Sequence, residues 1–86
     1  MTNKKYNITV VGLGYVGVSM AALLSQKNNV VALDINTERV NLVNESKSPI
    51  EDPDIPDFLL NPSTSLTATS DKKAAYKDAE FIIIAT

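Results

Sequence analysis

The 86-residue chain contains no cysteine and no histidine. The first absence excludes disulfides and thiolate metal sites. The second removes the commonest general base and the commonest metal ligand. Aromatic residues make up only 6%, the net charge is −2, and there is no basic run, so nothing points to a nucleic-acid surface. Long apolar runs are missing too. The longest, Val16 to Leu24, is about half of what a membrane span needs and is interrupted by Gly17 and Ser19. Lys4 and Lys5 precede an apolar run, as in a signal peptide, but glycines break that run early and no small-residue cleavage site follows. The expectation is a cytoplasmic protein with neither nucleic acid nor membrane as a partner.

What is present fits a folded protein. Hydrophobic residues are 44% and charged residues 21%, values that argue against disorder. The length allows one domain at most. A chain this short buries only about 60% of its unfolded surface, which leaves a thin margin of stability.

Asn7 to Gly12 is a short β-branched run ending in glycine and reads as a buried strand. Tyr15 to Gln26 reads as a buried helix, stopped by the polar turn Lys27-Asn28-Asn29. Val30 to Asp34 is a second apolar strand ending in an acid. Asn36 can cap a helix from Thr37 to about Asn44, with Val40 and Val43 on its apolar face. Ser46 to Pro62 holds all four prolines and allows only a short helical turn, around Asp57 to Leu60. Leu66 to Thr69 reads as a weak strand, Ser70 or Asp71 as the cap of a short helix through Tyr76, and Phe81 to Ala85 as a strongly apolar, buried strand. The alternation predicts an α/β protein of Rossmann-like type: a parallel sheet of about four strands with flanking helices, joined by right-handed crossovers. The last strand runs straight into Thr86, where a ligand-binding loop is expected beyond its carboxyl end. Residues 1–86 therefore read as the amino-terminal part of a dinucleotide-binding domain, and as an incomplete piece of a longer chain.

Gly12-Leu13-Gly14-Tyr15-Val16-Gly17 is G-x-G-x-x-G, following a predicted strand and opening a predicted helix. Gly12 permits the tight turn, Gly14 lets a pyrophosphate approach the backbone, and Gly17 lets the helix pack closely on the sheet. First-turn N–H groups and the helix dipole then face the phosphates. Asp34 ends the second strand, 20 residues beyond Gly14. A carboxylate there accepts hydrogen bonds from the adenosine ribose and repels a 2′-phosphate, so NAD is favoured over NADP. Arg39 works against that preference, because an arginine near the pocket can accommodate a 2′-phosphate. FAD-binding domains share the pattern, and packing alone can explain glycines at such a turn or an acid at a strand end. The two features in order within one βαβ unit favour nucleotide binding. Tyr15 either covers the cofactor or shields the helix start, and the backbone N–H groups of Tyr15 and Val16 are the preferred contacts. The acids Asp52, Asp54 and Asp57 read as a solvated loop rather than a metal site. Tyr76 reads as the apolar edge of a surface helix, and Glu80 as a solvated turn residue.

These residues resemble the UDP-glucose 6-dehydrogenase family, within the nucleotide-sugar dehydrogenases. The carrying segments are ITVVGLGYVGVSMAALLSQ, VVALDINTERVNLVNESKSPIED and TATSDKKAAYKDAEFIIIAT. The resemblance covers nearly all of this chain, but only the first part of a typical member. It implies oxidation of the 6-hydroxyl of a nucleotide-bound sugar to a carboxylate, in service of polysaccharide biosynthesis. Two NAD and a covalent thioester on a cysteine far downstream are part of that chemistry. It implies cofactor-binding residues Val11, Gly12, Gly14, Tyr15, Val16, Gly17, Asp34, Arg39 and Thr86, with Arg39 on the adenosine side and Thr86 opening a loop over the cofactor. No catalytic residue falls within these 86 positions. The resemblance also implies a homodimer, and a nucleotide-sugar substrate only for the full-length enzyme. UDP-glucose is the favoured sugar nucleotide, with UDP-N-acetylmannosamine and GDP-mannose as alternatives. A stand-alone nucleotide-sensing Rossmann module and a non-functional remnant with one aggregation-prone strand edge are the competing readings.

Overall fold

The computed structural model describes residues 4–51, 55–61 and 64–85. Four strands form one parallel sheet in the order β3-β2-β1-β4. They are β1 (Asn7–Val11), β2 (Asn29–Leu33), β3 (Leu66–Thr69) and β4 (Phe81–Ile84). The helices are α1 (Tyr15–Leu24), α2 (Thr37–Asn44), α3 (Ile55–Leu60) and α4 (Lys72–Tyr76). The expected alternation holds, with small shifts at the ends. β1 stops at Val11 because Gly12 turns out of the strand at φ 102°. β2 begins one residue early, at Asn29, because its N–H donates to Tyr6 O at 2.9 Å. α1 ends at Leu24 rather than Gln26, with Ser25 as its C-cap. α3 begins at Ile55, two residues before the expected turn, and Pro56 falls in its first turn, where a missing N–H costs nothing.

Side-chain alternation divides the sheet into two faces. Ile8, Val10, Val30, Ala32 and Ala68 point to one face and pack under Val18, Ala21 and Ala22 of α1, Val40 and Val43 of α2, and Leu59 of α3. Thr9 points to the other face and is buried, and its hydroxyl donates to Ala75 O of α4. α4 therefore covers the second face, though with only five residues. The Asn36 and Asp71 side chains cap α2 and α4 as expected from sequence.

The two outer strands are finished differently. The Asn44 side chain pairs with Ala68 as a further strand would, accepting from its N–H at 2.8 Å and donating to its carbonyl at 2.9 Å. That closes part of the β3 edge. Among the described residues no side chain does the same for β4. The expectation that Phe81 to Ala85 is buried is corrected here. Phe81, Ile82 and Ile84 are 53%, 51% and 72% exposed. β4 is an edge strand: Ile82 and Ile84 share the face of Thr9, where α4 packs on β2 and β3, and Phe81 lies on the opposite face, so an apolar run that looks like sheet interior stands open. Phe81 finds one partner, the Tyr6 ring, edge-on at 5.4 Å between centroids. Glu80 is exposed, as expected of a turn residue, yet its carboxylate also accepts from Asn7 N at 3.0 Å.

Candidate dinucleotide-binding site

At the carboxyl end of β1 the chain must reverse into α1 within three residues. Gly12 does this in the left-handed region, which side-chain-bearing residues rarely adopt. Leu13 then buries its side chain completely in the core beneath α1 and α2. Gly17 packs so tightly that a β-carbon there would lie 1.6 Å from Gly12 O. Gly14 differs: a β-carbon there would meet nothing within 4 Å. Space beside Gly14 is what a ligand approaching the backbone requires. As N-cap of α1, Gly14 offers no side-chain acceptor, and no acid lies in the first turn. The positive end of the helix thus draws neither a side-chain cap from Gly14 nor an acid from its own first turn.

Asp34 follows β2 directly and is half-buried. One carboxylate oxygen, Oδ2, accepts from Leu13 N at 2.7 Å, and the other, Oδ1, accepts from Asn36 N at 2.8 Å. The turn is also tied to the sheet by Gly12 N donating to Leu33 O at 2.8 Å.

A cleft of about 650 Å³ opens above these groups. Of the residues expected from sequence, it brings together Gly12, Gly14, Tyr15, Val16, Asp34 and Arg39. Tyr15 and Val16 carry exposed side chains. Arg39 reaches the cleft from α2. Gly17 and Val11 do not line it. Gly17 is buried behind the turn, where it sets the helix against Gly12. Val11 faces an adjoining, more apolar hollow of about 370 Å³, which shares Gly12 and Asp34 with the cleft. Thr86 lies outside the described residues, as do Asp52 and Asp54 of the acidic segment. Ile84 and Ala85 line the cleft without having been singled out from sequence. The rule that ligands sit beyond strand carboxyl ends pointed past Thr86 rather than at the last residues of the strand itself. A third depression, about 430 Å³, lies at the amino ends of β1 and β2 near Asn7, Asn29 and Asp78. It has neither a glycine turn nor a helix N-terminus, so its volume alone makes no site for a phosphate. Among the described residues no cluster of acids could hold a metal ion, and no helix is long and apolar enough to cross a membrane.

A glycine turn, an uncapped helix start and a strand-end carboxylate around one cleft define the first βαβ unit of a Rossmann-type dinucleotide-binding domain. Residues 6–86 match the family described as the UDP-glucose/GDP-mannose dehydrogenase family, NAD binding domain. The chain belongs to that family, and NAD is the cofactor of this domain. It is 42% identical over 79 residues to a UDP-glucose 6-dehydrogenase of Streptococcus pneumoniae, spanning 92% of this chain and 20% of that one. A UDP-glucose 6-dehydrogenase of Campylobacter jejuni is 44% identical over 81 residues, spanning 92% and 21%. Among solved structures, a GDP-mannose dehydrogenase from Pseudomonas aeruginosa superposes with a TM-score of 0.85 at 33% identity, over 92% of this chain and 19% of that one. The chain thus spans about a fifth of the length of the curated relatives it matches.

Proposed function

We propose that this chain supplies the adenosine diphosphate half of the NAD site of a UDP-glucose 6-dehydrogenase. The observation that carries the reading is the pairing of Asp34 with the glycine turn across one cleft. The residues fit the cofactor. The open face of Gly14 and the first-turn N–H groups of Tyr15 and Val16 hold the pyrophosphate. Gly12 and Gly17 shape the turn. Asp34 receives the ribose hydroxyls on lone pairs left by its two backbone bonds. Arg39 lies along the adenosine, Val11 supports the turn from below, and Thr86 is assigned to the cofactor by the family resemblance alone. When bound, NAD accepts the hydride taken from the substrate. The residues of this chain bind and orient it, and none of them transfers a proton or forms a covalent intermediate.

The similarity of the relatives supports UDP-glucose as the substrate. The wider proposal takes residues 1–86 as the first part of the NAD-binding domain, with a cytoplasmic homodimer as the full-length enzyme and polysaccharide precursors as its product class. Calorimetric titration of the full chain with NAD and NADP tests the cofactor assignment. NAD is expected to bind at least about tenfold more tightly, since a 2′-phosphate beside the Asp34 carboxylate costs more than about 1.4 kcal/mol. Equal affinities would remove Asp34 from the ribose.

A further inference from the structure

The Asp34 carboxylate is already in use before any ligand arrives. Its two oxygens take N–H groups from two different segments, Leu13 in the glycine turn and Asn36 in the turn into α2. These are charge-assisted bonds, at 2.7 and 2.8 Å. Leu13 sits between Gly12 and Gly14, so the bond fixes the peptide that orients the phosphate-facing backbone. Apart from the buried Leu13 side chain and the Gly12 bond to Leu33, this carboxylate is what ties that turn to β2.

We propose that Asp34 is a positioning residue for the phosphate-binding turn, in addition to a partner for the ribose. This rests on the dinucleotide reading given above. It has a consequence that ribose recognition alone lacks: replacing Asp34 weakens binding even of a nucleotide with no ribose hydroxyls. Coulomb's law gives the opposite sign, because removing a negative charge beside a diphosphate should tighten binding. Exchanging Asp34 for a neutral residue therefore does not convert the site to NADP, since the turn loses its tie as the 2′-phosphate gains its space.

The test uses the full chain, its Asp34→Ala and Asp34→Asn variants, and two probes, ADP and 2′,3′-dideoxy-ADP. Affinities come from calorimetry and Leu13 amide exchange from nuclear magnetic resonance without ligand. The expected result is a loss of about fivefold or more in dideoxy-ADP affinity for Asp34→Ala, the size of one charge-assisted bond partly replaced by water. Asp34→Asn, with one acceptor oxygen for two N–H groups, falls between. Leu13 exchange accelerates at least about tenfold in Asp34→Ala. Unchanged or tighter dideoxy-ADP binding alongside weakened ADP binding overturns the proposal and leaves Asp34 a ribose contact only. If the wild type binds neither nucleotide, the dinucleotide reading fails, and Leu13 exchange still decides whether Asp34 holds the turn. Should Asp34→Ala not fold, the near-isosteric Asp34→Asn carries both measurements.

Discussion

Gly14 and Gly17 belong to one motif, yet the structure gives them opposite sensitivities to a single methyl group. In Gly17→Ala the new β-carbon would lie 1.6 Å from Gly12 O and 2.8 Å from Gly12 C. The nearer distance is less than half the ordinary carbon separation of about 3.5 Å. Both atoms are backbone, so no side chain can swing away. Either α1 lifts from the sheet or the Gly12 turn moves, and moving the turn endangers the 2.8 Å bond to Leu33. Overpacking costs about 1–3 kcal/mol where side chains can adjust, so a clash with fixed backbone belongs at or above about 3 kcal/mol. At about 0.05–0.15 kcal/mol per residue, a chain of this length has a total stability of about 4–13 kcal/mol. Gly17→Ala should thus remove a large fraction of it. In Gly14→Ala the β-carbon enters open space, and φ −77° and ψ −167° lie in the extended region open to any residue. Its stability should change by less than about 1 kcal/mol, the unfolded-state entropy gain offsetting the poorer N-cap. Its affinity for NAD should nevertheless fall by about tenfold or more, because the methyl group occupies the line of phosphate approach. Urea denaturation followed by circular dichroism, with calorimetric NAD titration, separates the two. A Gly17→Ala protein as stable as Gly14→Ala would refute the packing argument.

Asn36→Ala should cost about 1 kcal/mol by removing the α2 cap on Arg39 N, read as a lower urea midpoint with unchanged slope. Thr9→Val keeps the shape but leaves the buried Ala75 carbonyl without its donor, and about 1–3 kcal/mol of destabilisation is expected in the same assay. Ile84→Asp should lower self-association of the chain at high concentration, measured by light scattering. The wild-type edge is long on apolar surface, and one charge blunts it.

Most of the framework is legible in sequence because periodicity, glycine placement and capping residues act locally. Asn36 and Asp71 announce their helices through their own side chains, and the turn at Gly12 is written in its glycines. Local signals stop short at β4. The run Phe-Ile-Ile-Ile reports that a strand needs cover, not whether a neighbour provides it, so burial was expected where exposure is found. The Asn44 pairing with Ala68 and the Asp34 bond to Leu13 join residues more than twenty positions apart. Nothing in the spacing of either pair reveals the contact. Asp34 was found for its distance from the glycines, and its bond to the glycine turn became visible only once β1 and β2 lay side by side. Ile84 and Ala85 entered the cleft for the same reason, through the pairing of β4 with β1.

The most direct test of the account is to follow backbone amide resonances of the full chain as NAD is added. The account predicts the largest shifts at Gly12 to Gly17 and at Asp34 to Asn36, with Ala85 affected and the opposite end of the sheet silent. Shifts centred instead on Asn7, Asn29 and Asp78, at the amino ends of the strands, would contradict it.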